Sequence, residues 1–164
     1  MHRPLLLLFD VDGTLFMTPD PLVGRAVVET LEQAYGIALP AGAIERVDHV
    51  GQTTKHIGRL VLYDAGLDDE AVDAELDAWC ATVAPRYLEL LASHATAGWE
   101  ARPGTAEALA DLRDRGARLA LLTGNPEPIA RARMERLGLA GFFPAGQGAF
   151  GCDRFATWVD DRPQ

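Results

Sequence analysis

Lysine is almost missing from this chain. Lys55 is the single one among 164 residues, and every other basic residue is arginine or histidine. Any chemistry that needs a lysine ammonium must therefore use Lys55. The basic residues are also scattered, and the net charge is −9. That excludes the basic stripe of a general nucleic-acid binder but leaves room for a local site taking a small anion. There are two cysteines, Cys80 and Cys152, far apart and not in CxxC spacing. A zinc site or a redox pair is disfavoured, and two free thiols in a reduced compartment are expected. No apolar run approaches membrane-spanning length, and residues 5–9 are too short for a signal-peptide core. A soluble, cytoplasmic protein with no membrane partner is expected. Repeats and low-complexity segments are absent as well.

What is present is globular in composition, 48% apolar and 24% charged, in a length suited to one domain and a small second module. Residues 5–9 (LLLLF) form a continuous apolar run, which predicts a strand covered on both faces, as in a parallel sheet. Asp20-Pro21 reads as an N-cap and first helical position. Leu22, Val23, Ala26, Val27, Leu31 and Ala34 follow at helical spacing, with Gly36 as the stop. Thr53 or Thr54 caps a second helix that stops at Gly66. A third begins near Asp68 and carries Val72, Leu76, Trp79, Cys80, Val83, Tyr87 and Leu91, with Pro85 expected to kink or divide it. Residues 17–95 thus read as all helical. After Arg102-Pro103-Gly104, Thr105 opens a helix ending at Gly116. Residues 118–122 (RLALL) repeat the apolar strand signature and run into Thr123-Gly124-Asn125. Another helix starts around residues 126–128 and stops at Gly138, and Phe142-Phe143 is expected to begin a third strand. The pattern is β/α with an all-helical insert after the first strand.

The chemistry sits at the strand ends. Side chains at i and i+2 of a strand point the same way, so Asp10 and Asp12 are expected to share a side. Gly13 allows a tight turn with amides facing a ligand, and Thr14 adds a hydroxyl. Ligands of open α/β sheets bind beyond the carboxyl ends of the strands. Thr123, Gly124 and Asn125 supply neutral donors next to a helix N-terminus, suited to phosphate. Paired carboxylates can hold a divalent metal and act as nucleophile and acid/base. Mg²⁺ between them would remove their repulsion of a phosphate. A solvated strand-to-turn junction is the plainer account of DVDGT alone; the conjunction with the second strand and TGN favours the site.

The stretches FDVDGTL (9–15) and LLTGN (121–125), with RPGT (102–105), LGL (137–139) and Phe142-Phe143, resemble the haloacid-dehalogenase-like (HAD) hydrolase superfamily. The phosphoglycolate-phosphatase-like group within it is the most similar. The resemblance implies a Rossmann-like core with a parallel sheet over residues 1–16 and 96–164, and a helical cap at 17–95. It implies that Asp10 is the nucleophile, forming an aspartyl-phosphate, and that Asp12 is the acid/base. Mg²⁺ would be held by the Asp10 carboxylate and the Asp12 backbone carbonyl, with Thr123 and the Asn125 region on the phosphoryl group. An acid at position 12 favours phosphoryl chemistry over carbon–halogen cleavage. The function implied is Mg²⁺-dependent hydrolysis of small phosphate monoesters. A phosphomutase, or a catalytically impaired protein that binds a ligand or partner, are the alternatives. Gly51-Gln52-Thr53-Thr54-Lys55 resembles a cap loop, so Thr54, Lys55 and His56 are candidates for the substrate's polar end; helix capping by threonine and a solvated Lys55 is the plainer account. His49, His94, Trp79 and Trp99 are read as packing or surface residues.

The resemblance also implies a cation and an acidic pair after the third strand. No lysine follows Lys55, and Asp160 and Asp161 are candidate metal ligands without an apolar strand to position them. Without further strands, residues 5–9 become an apolar sheet edge open to self-association. The expectation is a chain truncated or altered near residue 150, or completed by another chain.

Overall fold

The computed structural model describes residues 5–96 and 98–153. Strand β1 (Leu6–Phe9) leads to three helices, α1 (Pro21–Tyr35), α2 (Thr54–Asp64) and α3 (Asp69–Ala92). Helix α4 (Thr105–Asp114), strand β2 (Arg118–Thr123), helix α5 (Glu127–Arg136) and strand β3 (Gly148–Phe150) complete the order. The three strands form a parallel sheet in the order β1-β2-β3, with Leu7 opposite Leu119 and Thr123 opposite Phe150. This is a mixed α/β fold with a small parallel sheet. Among the described residues, no helix is long and apolar enough to cross a membrane.

Local signals set most boundaries. The Asp20 carboxylate accepts from the Leu22 amide and caps α1, with Pro21 in its first turn and Gly36 ending it at φ 63°. The Thr53 hydroxyl caps α2 through the His56 amide, and Asp68 caps α3 through that of Ala71. These side chains satisfy donors that a helix start leaves open. Helix α3 packs against α1 and α2. Its Trp79 is 1% exposed, and the indole Nε1 donates to Thr30 Oγ1 at 2.9 Å. The Thr30 hydroxyl donates in turn to the Ala26 carbonyl at 2.7 Å. Gly58 of α2 faces the Trp79 ring, where a Cβ would overlap it.

Three expectations are corrected. Pro85 does not divide α3, which runs unbroken for 24 residues. Buried Val83, Ala84, Tyr87, Leu90 and Leu91 hold the helix on both sides of the proline, outweighing its missing hydrogen bond. The third strand is not at Phe142-Phe143. Residues 140–142 form a 3₁₀ turn, and Phe143 packs edge-on against Phe9 at 5.9 Å, so β3 forms five residues later. Finally, among the described residues β1 is not covered on both faces. Leu7 and Phe9 turn inward, whereas Leu6 and Leu8 are 56% and 54% exposed. Among the described residues β1 is the sheet edge, as the reading without further strands expects.

Candidate active site

The chain leaves β1 through a turn built around one carbonyl. The amides of Thr14, Leu15 and Phe16 all donate to the Val11 oxygen, at 3.3, 3.0 and 2.9 Å, and the Gly13 amide donates to the Phe16 oxygen at 2.9 Å. Gly13 takes φ 74°, a conformation that favours glycine. Val11 is fully buried beneath the turn. Asp10 and Asp12 therefore both face the opposite way, into one cleft, as the i, i+2 argument anticipates. The amides of Gly13 and Thr14 close the turn, and neither residue lines the cleft.

The far wall comes from the end of β2. Thr123, Gly124 and Asn125 line the same cleft, and Thr123 and Asn125 are buried. The Asn125 side-chain amide donates to Asp12 Oδ2 and, at 3.3 Å, to Thr123 Oγ1. Gly124 is where the helical block meets the sheet. Its carbonyl accepts from the Thr54 amide at 2.7 Å and from Thr54 Oγ1 at 3.0 Å. A Cβ on Gly124 would overlap the Gln52 carbonyl, so only glycine permits this approach. The cleft between the two walls has a volume of about 1100 Å³ and is bounded on its other side by α1 and residues 39–54.

Behind the carboxylates lies a cation that the sequence reading does not identify. Arg133 of α5 is 2% exposed. Its Nη1 contacts Asp12 Oδ1 at 2.8 Å, and its Nη2 and Nε contact Asp20 Oδ2 at 2.8 and 3.1 Å. The Tyr87 hydroxyl of α3 donates to the same Asp20 oxygen at 2.9 Å. The guanidinium also lies over the Phe16 ring, 4.9 Å from its centroid. Burial pushes this guanidinium down, and the charges of Asp12 and Asp20 more than offset that, holding it above its ordinary value. Burial raises the Tyr87 hydroxyl strongly. Asp12 is thus gripped through both oxygens, by Arg133 and Asn125. Burial also lifts the Asp10 carboxyl; the Val11 amide, at 2.7 Å, opposes this and the neighbouring Asp12 charge adds to it.

The signal for Arg133 was present in the sequence. Ile129, Ala130 and Met134 mark the buried stripe of α5, and Arg133 falls on that stripe at four residues from Ile129. A charge on a buried face needs a partner. Asp20 hid behind its role as an N-cap. Lys55 does not line the cleft; its ammonium pairs with Asp77 at 2.6 Å. Thr54 lines the cleft but spends its hydroxyl on Gly124. His49 lines the cleft too, with Nδ1 3.1 Å from the Val47 oxygen. Among the described residues no group of three or more histidine, cysteine or acidic side chains is arranged to hold a metal. Asp160 and Asp161 lie outside the described residues.

A model of the haloacid dehalogenase-like hydrolases matches residues 5–151, and the chain belongs to that family. It is similar to the phosphoglycolate phosphatase of Rhodospirillum rubrum, 34% identical over 137 residues covering 84% of this chain and 55% of the relative. The phosphoglycolate phosphatase of Rhodobacter capsulatus is 33% identical, covering 84% and 58%. The chain spans little more than half the length of these relatives. Among solved structures, CbbY from Rhodobacter sphaeroides in complex with phosphate aligns with TM-score 0.59 and 22% identity, covering 96% of this chain and 66% of that one. A family IA, variant 3 HAD hydrolase from Entamoeba histolytica aligns with TM-score 0.57 and 16% identity, covering 96% and 64%. These likenesses support the fold.

Proposed function

We propose that the cleft hydrolyses small phosphate monoesters, with a phosphoglycolate-like ester as the first candidate. The observation that carries this reading is the division of labour between the two carboxylates. Asp12 is held through both oxygens by Arg133 and Asn125, while Asp10 faces the cleft and, among the described residues, accepts from its neighbour's amide alone. Asp10 is the nucleophile: its oxygen attacks phosphorus, the ester P–O bond breaks, and the leaving oxygen takes a proton from Asp12. In the second half a water attacks phosphorus, Asp12 takes its proton, and the Asp10–phosphorus bond breaks. Thr123, Gly124 and Asn125 border the phosphoryl group, and the helical block over residues 17–95 acts as the cap above it.

The donor chemistry fits Mg²⁺, which prefers oxygen ligands and retains waters beside one or two carboxylates and a substrate phosphate. Asp10 through its carboxylate and Asp12 through its backbone carbonyl are the residues that would hold it. When bound, the ion offsets the negative charge of phosphate and carboxylates. We also place the chain in the cytoplasm, in keeping with its free thiols, and read the outer edge of β1 as a surface for self-association.

The test is phosphate release from a panel of monoesters with and without EDTA, for the unmodified chain and Asp10→Asn. Turnover that EDTA and Asp10→Asn each abolish supports the reading. No turnover by pure protein, or turnover that Asp10→Asn leaves unchanged, refutes it. Isomerisation of a sugar phosphate without phosphate release would assign a phosphomutase instead. Vanadate binding without turnover would assign a binding protein.

A further inference from the structure

Cys80 and Cys152 lie 72 positions apart in sequence, yet the Cys152 thiol donates to the Cys80 sulfur at 2.9 Å. Cys80 sits on the buried face of α3, and Cys152 in the turn that follows β3. That turn is fastened on three sides. The Gly151 amide donates to the Asn125 oxygen at 3.0 Å, the Asp153 amide to the Phe150 oxygen at 3.0 Å, and Asp153 Oδ2 accepts from the Phe150 amide at 2.8 Å. Gly151 has no Cβ, which would overlap the Gly124 carbonyl, so the turn seats directly on the end of β2. Backbone bonds to the end of β2 thus fix the turn that carries Cys152 beside α3. Both cysteines are thiols here, and nothing in the proposed hydrolysis uses them.

We propose that Cys80 and Cys152 form an oxidative modification site, converted by hydrogen peroxide to a disulfide that ties the helical block to the sheet. The sulfurs need to close by less than an ångström to reach the bond length of about 2.05 Å. The hydrogen bond between the two thiols supports the direction of attack. Accepting it holds the Cys80 thiol below its ordinary value; burial opposes this, and the smaller effect of the Lys55 charge, which lowers it further, is itself opposed by the Asp77 charge. Its partner Cys152, sharing that proton and buried, is pushed the other way. A thiolate near a cation is the reactive form of cysteine. The Cys80 sulfur attacks one peroxide oxygen, the O–O bond breaks, and Cys80 becomes a sulfenic acid while the departing oxygen leaves as water. The Cys152 sulfur then attacks the Cys80 sulfur, the S–O bond breaks, and the second oxygen leaves as water with the Cys152 proton. Two thiols lose two protons and two electrons, and the peroxide is reduced to two waters. Hydrogen peroxide is a small oxidant, suited to a residue that is 8% exposed.

This inference does not depend on the phosphatase reading, and its test uses no substrate. The full chain, reduced and freed of reductant, is titrated with hydrogen peroxide and mapped by mass spectrometry without reduction. The expected result is loss of both free thiols together, within monomers, as one link between the Cys80 and Cys152 peptides, reversed by dithiothreitol. The urea midpoint of the linked chain should rise relative to the reduced one. Cys152→Ser, which keeps a donor beside Cys80, should give a Cys80 that traps a sulfenic-acid probe and forms no link. Stepwise oxidation of Cys152 alone to sulfinic acid, links between chains, or a urea midpoint lowered by the link would each overturn the proposal.

Discussion

Replacing Arg133 by methionine keeps an unbranched apolar stem and removes the guanidinium and its charge, and the structure sets the size of the penalty. The guanidinium serves two carboxylates with different surroundings. The Asp20 side chain is 2% exposed and the Asp12 side chain 55% exposed. At Asp12 solvent takes over, and the pair is worth about 0–1 kcal/mol. At Asp20 the charge is left buried, and breaking such a pair costs about 3–5 kcal/mol. Asp20 keeps the Tyr87 hydroxyl and the Leu22 amide as donors, which places the cost at the lower end. The expected destabilisation is about 3 kcal/mol, or a fall in Tm of roughly 6–12 °C for a chain of this size. Thermal and urea unfolding of Arg133→Met measure it. The decisive comparison adds Asp20→Asn, which removes the stranded charge, so the double variant should recover more than half of the loss. A single-variant cost under about 1 kcal/mol, or a double variant no more stable than Arg133→Met, would refute the account of Asp20 as a buried charge held by Arg133.

Gly124→Ala should displace residues 52–54 from the end of β2 and cost about 1–3 kcal/mol by overpacking, read by thermal unfolding; an unchanged Tm would contradict the close approach of Gln52. Gly58→Ala pits a helix-propensity gain of about 1 kcal/mol against overlap with a Trp79 ring pinned by Thr30, and a net loss of stability in urea is expected. Arg25 and then Arg86 hold the Glu29 carboxyl below its ordinary value. Because the folded value is the depressed one, this contribution is complete above the unfolded value of about 4.3 and fades as pH falls through the folded value. Glu29→Gln should therefore flatten the acid limb of the stability–pH curve and leave its alkaline limb unchanged. Leu8→Lys on the outer face of β1 should reduce concentration-dependent association in sedimentation experiments; wild-type protein that stays monomeric at high concentration would remove the edge as an assembly surface.

How much of this was legible beforehand depends on the range of the signal. Asp20, Thr53 and Asp68 are caps because a short polar side chain precedes an apolar stripe, and both fall within a few residues. FDVDGTL and TGN were readable for the same reason: a strand, a turn and a helix start are local events. The strand expected at Phe142-Phe143 failed because an aromatic pair suits a strand and a packed turn equally. The choice fell to Phe9, whose ring Phe143 meets. The glycines of the close approach were visible as letters, but what approaches them was not.

The sequence by itself determined the helices, the turn that turns Asp10 and Asp12 to one side, and the family to which that turn belongs. Tertiary structure alone decided which amides close the turn, that an arginine 121 residues beyond Asp12 grips it, and that two distant cysteines touch. The physical reason is the same in each case. Hydrogen-bond capping and hydrophobic periodicity act along the chain, whereas a buried charge or thiol finds its partner across the fold, where sequence distance carries no information.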